Sequence, residues 1–332
     1  MPAVLQAIVG GMHDLGVPLL DESFGLPLDR PFRTADAIAA GFTRRDLATM
    51  VERGLVRRLL QGVLVAAQVP DSIPLRCRAV SLVLPQGAVV TDTTAGWLHG
   101  AERVLAPGAH LHLGPVSFFH RTPGNRSRWA LCDSGERVMP DSDVTEVDGL
   151  AVTTPIRTAL DLGRLLRRPR AFAGLDSMLG LRAFEQDEMI DQVGRFKGYR
   201  GVRQLRELAP LADPRAQSPG ESALRLHWLD CADLPRPEPQ VPVTGPDGKT
   251  YYLDLGVAEL SFGAEYDGVE WHGPERAQQD EDRRSWITEQ RGWSVEVFRR
   301  NNVFGQHQDA FVRLRSGVRE ARRRLSSFRR SA

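Results

Sequence analysis

The sequence predicts an α/β multidomain protein, and three observations carry that reading. Its 332 residues exceed what one small core needs, and at roughly 100–200 residues per domain they make two or three units. Near the N-terminus two helical patterns run into a strand pair, whereas the last third reads as helix, strands, helix and strand. Between these regions Pro210 to Gly220 has the Pro, Ser and Gly content of an interdomain connection. A chain that is 42% hydrophobic and 26% charged belongs with folded globular proteins and not with disordered ones.

In chain order, residues 1–30 form a lead-in, with an apolar helix candidate at Val4 to Leu15 and a Pro- and Gly-containing stretch after it. Thr34 to Gly54 reads as two helices joined at Gly41. Thr43 with Asp46 three residues later marks the second helix's start, and Gly54 marks its end. Leu47, Met50 and Val51 share one face of that helix, which leaves Arg44, Arg45 and Thr49 outward. Val56 to Val65 then reads as strand, turn at Gln61-Gly62 and return strand. Residues 33–66 resemble the winged-helix start of AbiEi-type antitoxins and related regulators. The resemblance continues from Val147 to Leu162, where Pro155 follows Thr153 and Thr154 as a helix start. These boundaries give a winged helix at 31–68, a mixed α/β AbiEi-like middle domain at 69–209, with a helical stretch from Phe172 to Leu208, and a linker at 210–220.

The formal net charge of +1 hides an uneven distribution, because Arg313 to Arg330 carries many arginines against the single acid Glu320. Lysine occurs only at Lys197 and Lys249, and arginine suits bidentate phosphate contacts. Cys77, Cys132 and Cys231 are widely separated without a Cys-x-x-Cys pair, so neither a disulfide framework nor a thiolate zinc site is indicated. The N-terminus lacks a signal pattern, and no apolar run of roughly 18 residues occurs. The sequence therefore predicts a cytoplasmic protein with no membrane partner.

The chemistry-bearing residues lie after the linker. Glu221, Leu224, Trp228 and Cys231 share a helical face. Glu221 is either a solvated acid favoured by the helix dipole or a carboxylate aimed at a site. Tyr251 to Val257 and Phe262 to Gly268 read as an antiparallel hairpin. Pairing Val257 with Phe262 sets Asp254 across from Glu265, with Asp267 on the same face. Like charges so opposed are destabilising unless compensated. A divalent cation compensates, and oxygen ligands with room for water suit Mg2+ or Mn2+. The alternative is that Asp254 points outward and Glu265 is a surface acid. His272 follows in a glycine turn, either as a base toward water or as a solvated loop histidine. Pro274 then opens a polar helix to Arg291, Gly292 ends it, Trp293 to Phe298 supplies a strand, and a basic helix closes the chain.

This order, with Asp254, then Ala264 to Gly268, then His272, resembles the PD-(D/E)XK restriction-endonuclease-like fold, and within it the family related to the very-short-patch-repair endonuclease Vsr. The similarity covers 221–304, followed by a basic C-terminal helix at 305–332. By that resemblance Asp254 and Glu265 hold the metal, Glu221 assists, and His272 serves the attacking water or the phosphate. Where the family pattern places a lysine two residues after the second acid, this chain has Asp267, and no lysine follows Lys249. Asp267 or His272 then takes that role, and Arg283 or Arg284 neutralises developing charge.

Three functional expectations follow. The first is a DNA-binding, metal-dependent endonuclease, with DNA phosphates gripped through Arg44, Arg45, Arg57 and Arg58. The second is an AbiEi-like transcription regulator or antitoxin with a cognate toxin partner and a catalytically silent nuclease fold. A third is an interaction protein whose basic C-terminus binds RNA or a partner.

Overall fold

Thr43 Oγ1 accepts the backbone N–H of Asp46 at 3.1 Å while the Asp46 carboxylate accepts the Thr43 N–H at 2.8 Å. This reciprocal cap starts a helix where the sequence pattern places one. The computed structural model describes residues 17–105, 115–121, 132–268 and 274–331. The helix candidate at Val4 to Leu15 and the residue His272 therefore lie outside the described residues. The chain is mixed α/β and divides into two compact units, residues 1–161 and 162–332.

In the first unit, strand β1 (Phe32–Arg33) leads into helix α1 (Thr34–Ala39) and the capped helix α2 (Arg44–Glu52). Strands β2 (Val56–Leu60) and β3 (Val63–Ala66) follow as a hairpin, and the three strands lie in the order β1-β3-β2. Gly62 closes the hairpin at φ +81°, a conformation that L side chains adopt rarely. Leu47 and Met50 of α2 are buried against Phe32, Phe42, Leu55 and Leu64. Helix α3 (Ile73–Ser81), strand β4 (Val89–Val90), helix α4 (Asp92–Leu98) and strands β5 (Val116–Arg121), β6 (Cys132–Arg137), β7 (Val144–Val147) and β8 (Leu150–Thr153) come next. These strands form a mixed sheet in the order β6-β5-β4-β8-β7. Its core gathers Leu75, Trp97, Phe118 and Val152.

Helix α5 (Pro155–Leu165) begins at its proline and runs across the division between the units. The second unit continues with α6 (Arg168–Leu179), α7 (Gln186–Gln192), α8 (Val202–Leu208) and α9 (Pro219–Leu229). Strands β9 (Glu238–Thr244), β10 (Thr250–Val257) and β11 (Phe262–Asp267), helix α10 (Pro274–Arg291), strand β12 (Ser294–Arg299), and helices α11 (Arg300–Val303) and α12 (Ala310–Ser331) complete it. The sheet order is β12-β11-β10-β9. β11 and β12 run parallel, and α10 provides the crossover that parallel neighbours require. On this sheet Trp228, Phe262, Phe298 and Leu314 pack together.

Pro210 to Gly220, read from composition as an interdomain connection, lies inside the second unit. Asp176 explains why: its buried carboxylate accepts the Asp213 N–H at 2.8 Å and pairs with Arg225 at 2.7 Å. Arg225 also donates to the Leu211 carbonyl at 2.7 Å. Satisfying these buried groups fixes the segment as structure.

Candidate functional site

The hairpin register is the one the apolar pattern requires, with Val257 opposite Phe262 and Leu255 opposite Ala264. One step further along, Asp254 and Glu265 face one another, and there the backbone ladder gives way to a side-chain contact. Asp254 Oδ2 accepts the Tyr266 N–H at 2.7 Å. Helix α9 brings in the third acid. Ser218 caps it by accepting the Glu221 N–H at 3.1 Å, and Gly220 lets it approach β11 so closely that an added Cβ would meet the Tyr266 ring at 2.0 Å. Glu221 is thereby buried on the first helical turn.

The three acids form one electrostatic group. Burial and the neighbouring Glu221 carboxylate push Asp254 up to about 8, and Glu265 adds to the effect while the Tyr266 N–H and Arg283 oppose it. Burial also raises Glu265, against the pull of Arg283 and Arg284. Each acid has its own compensation. Arg283 donates to Glu265 Oε1 at 2.8 Å and to the Tyr252 carbonyl at 3.1 Å. Arg284 lies 3.7 Å from Glu265 Oε2 and 2.9 Å from Glu281. Glu221 Oε2 accepts the Gln217 N–H at 2.8 Å and the Gln240 amide at 3.3 Å. Asp267, at the strand end, sits 3.4 Å from Arg299.

Asp254, Glu265, Tyr266, Asp267, Gly268, Asp280, Arg283 and Arg284 line an open pocket of about 150 Å3. Here guanidinium groups, backbone donors and a proton on Asp254 compensate the acids. In this arrangement the residues do not fit Mg2+ or Mn2+. Both Glu265 oxygens face arginine, and among the described residues no group of three or more His, Cys, Asp or Glu side chains is disposed to hold a metal ion. Arg283 and Arg284, read as phosphate-neutralising residues, are directed onto Glu265. Gln240 was not singled out in the sequence; it bonds Glu221 from a strand position at φ +54°, a conformation that no motif signals.

In the first unit, Arg44 and Arg45 on the first turn of α2 and Arg58 on β2 are exposed. Arg57 is half-buried and donates to the Val69 carbonyl at 2.9 Å. The sequence also gave no sign of a buried ionic network. Arg137 bonds both Asp92 oxygens at 2.8 and 3.0 Å and reaches Asp161 at 3.0 Å. Arg157 joins Asp161 at 2.9 Å and also Asp143. The network ties β6, α4 and α5 together.

Comparisons with known proteins add the following. Residues 87–211 match the AbiEi antitoxin C-terminal domain, a segment that contains every member of the Arg137 network. Two uncharacterized proteins of Mycobacterium tuberculosis, MT2308 of strain CDC 1551 / Oshkosh and Rv2248 of strain H37Rv, are each 33% identical over 261 residues, covering 76% of this chain and 89% of theirs. The crystal structure of the RV2827C protein from Mycobacterium tuberculosis aligns over 58% of this chain and 74% of that one, at 11% identity and a TM-score of 0.30. That score is too low to assign a fold. No helix among the described residues is long and apolar enough to cross a membrane.

Proposed function

Because the chain belongs to the same family as the Mycobacterium tuberculosis proteins MT2308 and Rv2248, and carries a match to the AbiEi antitoxin C-terminal domain, we propose that it is a DNA-binding transcription regulator of antitoxin type. Residues 31–68 serve as its winged helix. The observation that carries this reading is the presentation of Arg44 and Arg45 on the first turn of a capped helix, with Arg58 on the following hairpin, all exposed. Arginines so placed fix a protein on the phosphate backbone and leave base readout to other contacts. Thr49 stands about one and a half turns into the helix, and a cognate toxin is the protein partner that the antitoxin reading implies.

The test is binding to duplexes taken from upstream of the protein's own gene, measured by fluorescence anisotropy against unrelated duplexes. Arg44→Ala/Arg45→Ala is expected to weaken binding and to reduce the dependence of log K on log salt by about 1.8, at about 0.9 per phosphate contact. Equal affinity of parent and variant for every duplex would reject the assignment.

A second reading is favoured by Asp254 and Glu265, which line an open pocket, with Glu221 coupled electrostatically to Asp254. Here residues 221–304 are a PD-(D/E)XK domain of the Vsr-related kind and hydrolyse DNA with Mg2+ or Mn2+. It requires Arg283 to leave Glu265, so that the acids are released for a cation. EDTA-sensitive cleavage lost in Asp254→Ala, across single-stranded, duplex, mismatched and modified DNA, is the result that supports it.

A further inference from the structure

Helix α12 buries one face and leaves the other charged. Ala310, Leu314, Val318 and Ala321 are buried in the core of the second unit, and Gly317 lies so near β11 that a Cβ there would meet the Phe262 ring at 2.4 Å. The helix is therefore seated firmly, and its outward face is presented rigidly. On that face Arg315, Arg319 and Arg322 recur at helical spacing, with Arg323 beside them, and all four are exposed. They span roughly 12 Å of helix axis at 1.5 Å per residue.

Partial pairing leaves most of this charge available. Arg315 donates to Asp233 at 2.8 Å, with both side chains about half exposed. Arg323 lies 3.9 Å from Glu320. Among the described residues no acid lies within ion-pair distance of Arg319 or Arg322, although Arg322 adds to the positive field on Asp233.

We propose that this face of α12 is a second DNA-contacting surface, one that grips the phosphate backbone independently of sequence. It goes beyond the regulator reading and rests on it only in taking duplex DNA as the partner. Charge complementarity selects that occupant. Four arginines in about 12 Å, offset in part by Asp233 and Glu320, leave a net positive face toward a duplex bearing one negative charge per roughly 1.7 Å of axis. A protein partner would call for an apolar, charge-depleted centre, yet the centre of this face, Arg315 to Arg323, exposes no large apolar side chain, and the exposed Phe311 and Val312 lie at its edge on the first turn. An anionic membrane would call for a continuous apolar helix face free to insert, whereas that face of α12 is buried and only Phe311 and Val312 on its first turn are exposed.

The experiment titrates the full-length protein with a labelled duplex of unrelated sequence over a range of salt concentrations. Arg319→Ala/Arg322→Ala is expected to bind roughly tenfold more weakly and to lower the salt slope by about 1.8. Arg319→Lys/Arg322→Lys should retain most of both, because lysine still supplies a point charge. Since the replaced side chains are exposed, an unchanged melting curve verifies folding. Unaltered affinity and slope in the alanine variant overturn the proposal and leave the regulator reading standing. Loss of binding to a polyglutamate peptide, with duplex binding unchanged, assigns the face to an acidic protein and overturns it too. The regulator reading fails separately, when Arg44→Ala/Arg45→Ala changes binding to no duplex.

Discussion

Replacing Asp254 by asparagine should stabilise the protein at pH 8 and have little effect near pH 4. In the unfolded chain this carboxyl ionises near 3.8, whereas in the folded protein it titrates at about 8. Between those values the folded state holds a proton that the unfolded state has released. The acid therefore favours folding fully below pH 4 relative to higher pH, and that contribution is lost as pH rises through 8. The slope is about 1.4 kcal/mol per pH unit, so from pH 5 to pH 8 the limit is about 4 kcal/mol. Because Glu221 and Glu265 share the electrostatics of the group, roughly half of this, about 2 kcal/mol, is the effect to expect. Asparagine keeps an oxygen for the Tyr266 N–H, offers an amide to the flanking acids and has no charge to expel. Urea denaturation at pH 5 and pH 8, followed by circular dichroism, measures the difference. A parent-to-variant difference that is the same at both pH values would refute the claim that the folded site holds a proton on Asp254.

Three further outcomes test the packing around this group and the N-terminal helix. Arg283→Ala removes the 2.8 Å partner of buried Glu265 and should cost about 1–3 kcal/mol at pH 7, with a smaller loss as pH falls because burial raises the Glu265 carboxyl; thermal melts over a pH series check it. Gly220→Ala forces a Cβ to within 2.0 Å of the Tyr266 ring, and the overpacking should cost about 1–3 kcal/mol. As α9 moves off, Glu221 withdraws and Asp254, followed by carbon-13 carboxyl NMR, should titrate at lower pH. Thr43→Ala loses one half of the α2 cap and should cost about 1 kcal/mol by urea denaturation of the full-length chain.

Local grammar made much of the architecture legible. Thr43 with Asp46, Gly54, Gln61-Gly62, Pro155, Pro274 and Gly292 mark element ends through short-range sterics and hydrogen bonds, which a linear pattern records directly. The apolar pairing of Val257 with Phe262 likewise fixes the register that carries Asp254 toward Glu265. What could not be read was compensation across space. Repulsion among Glu221, Asp254 and Glu265 is implied by the register, but their partners come from a helix 18 residues downstream of Glu265, from the Gln217 backbone and from Gln240. Pro210 to Gly220 is a parallel case. Its composition is that of a connection, whereas its conformation is set by Asp176 and Arg225, remote in sequence and buried together.

The most direct measurement follows one end-labelled duplex from upstream of the gene in Mg2+ and in EDTA, reading binding by gel shift and strand integrity on a denaturing gel from the same tubes. The account predicts a salt-sensitive complex, weakened by Arg44→Ala/Arg45→Ala and indifferent to Asp254→Ala, with the strands whole in both conditions. Strands cut only in Mg2+ and spared in Asp254→Ala would contradict it.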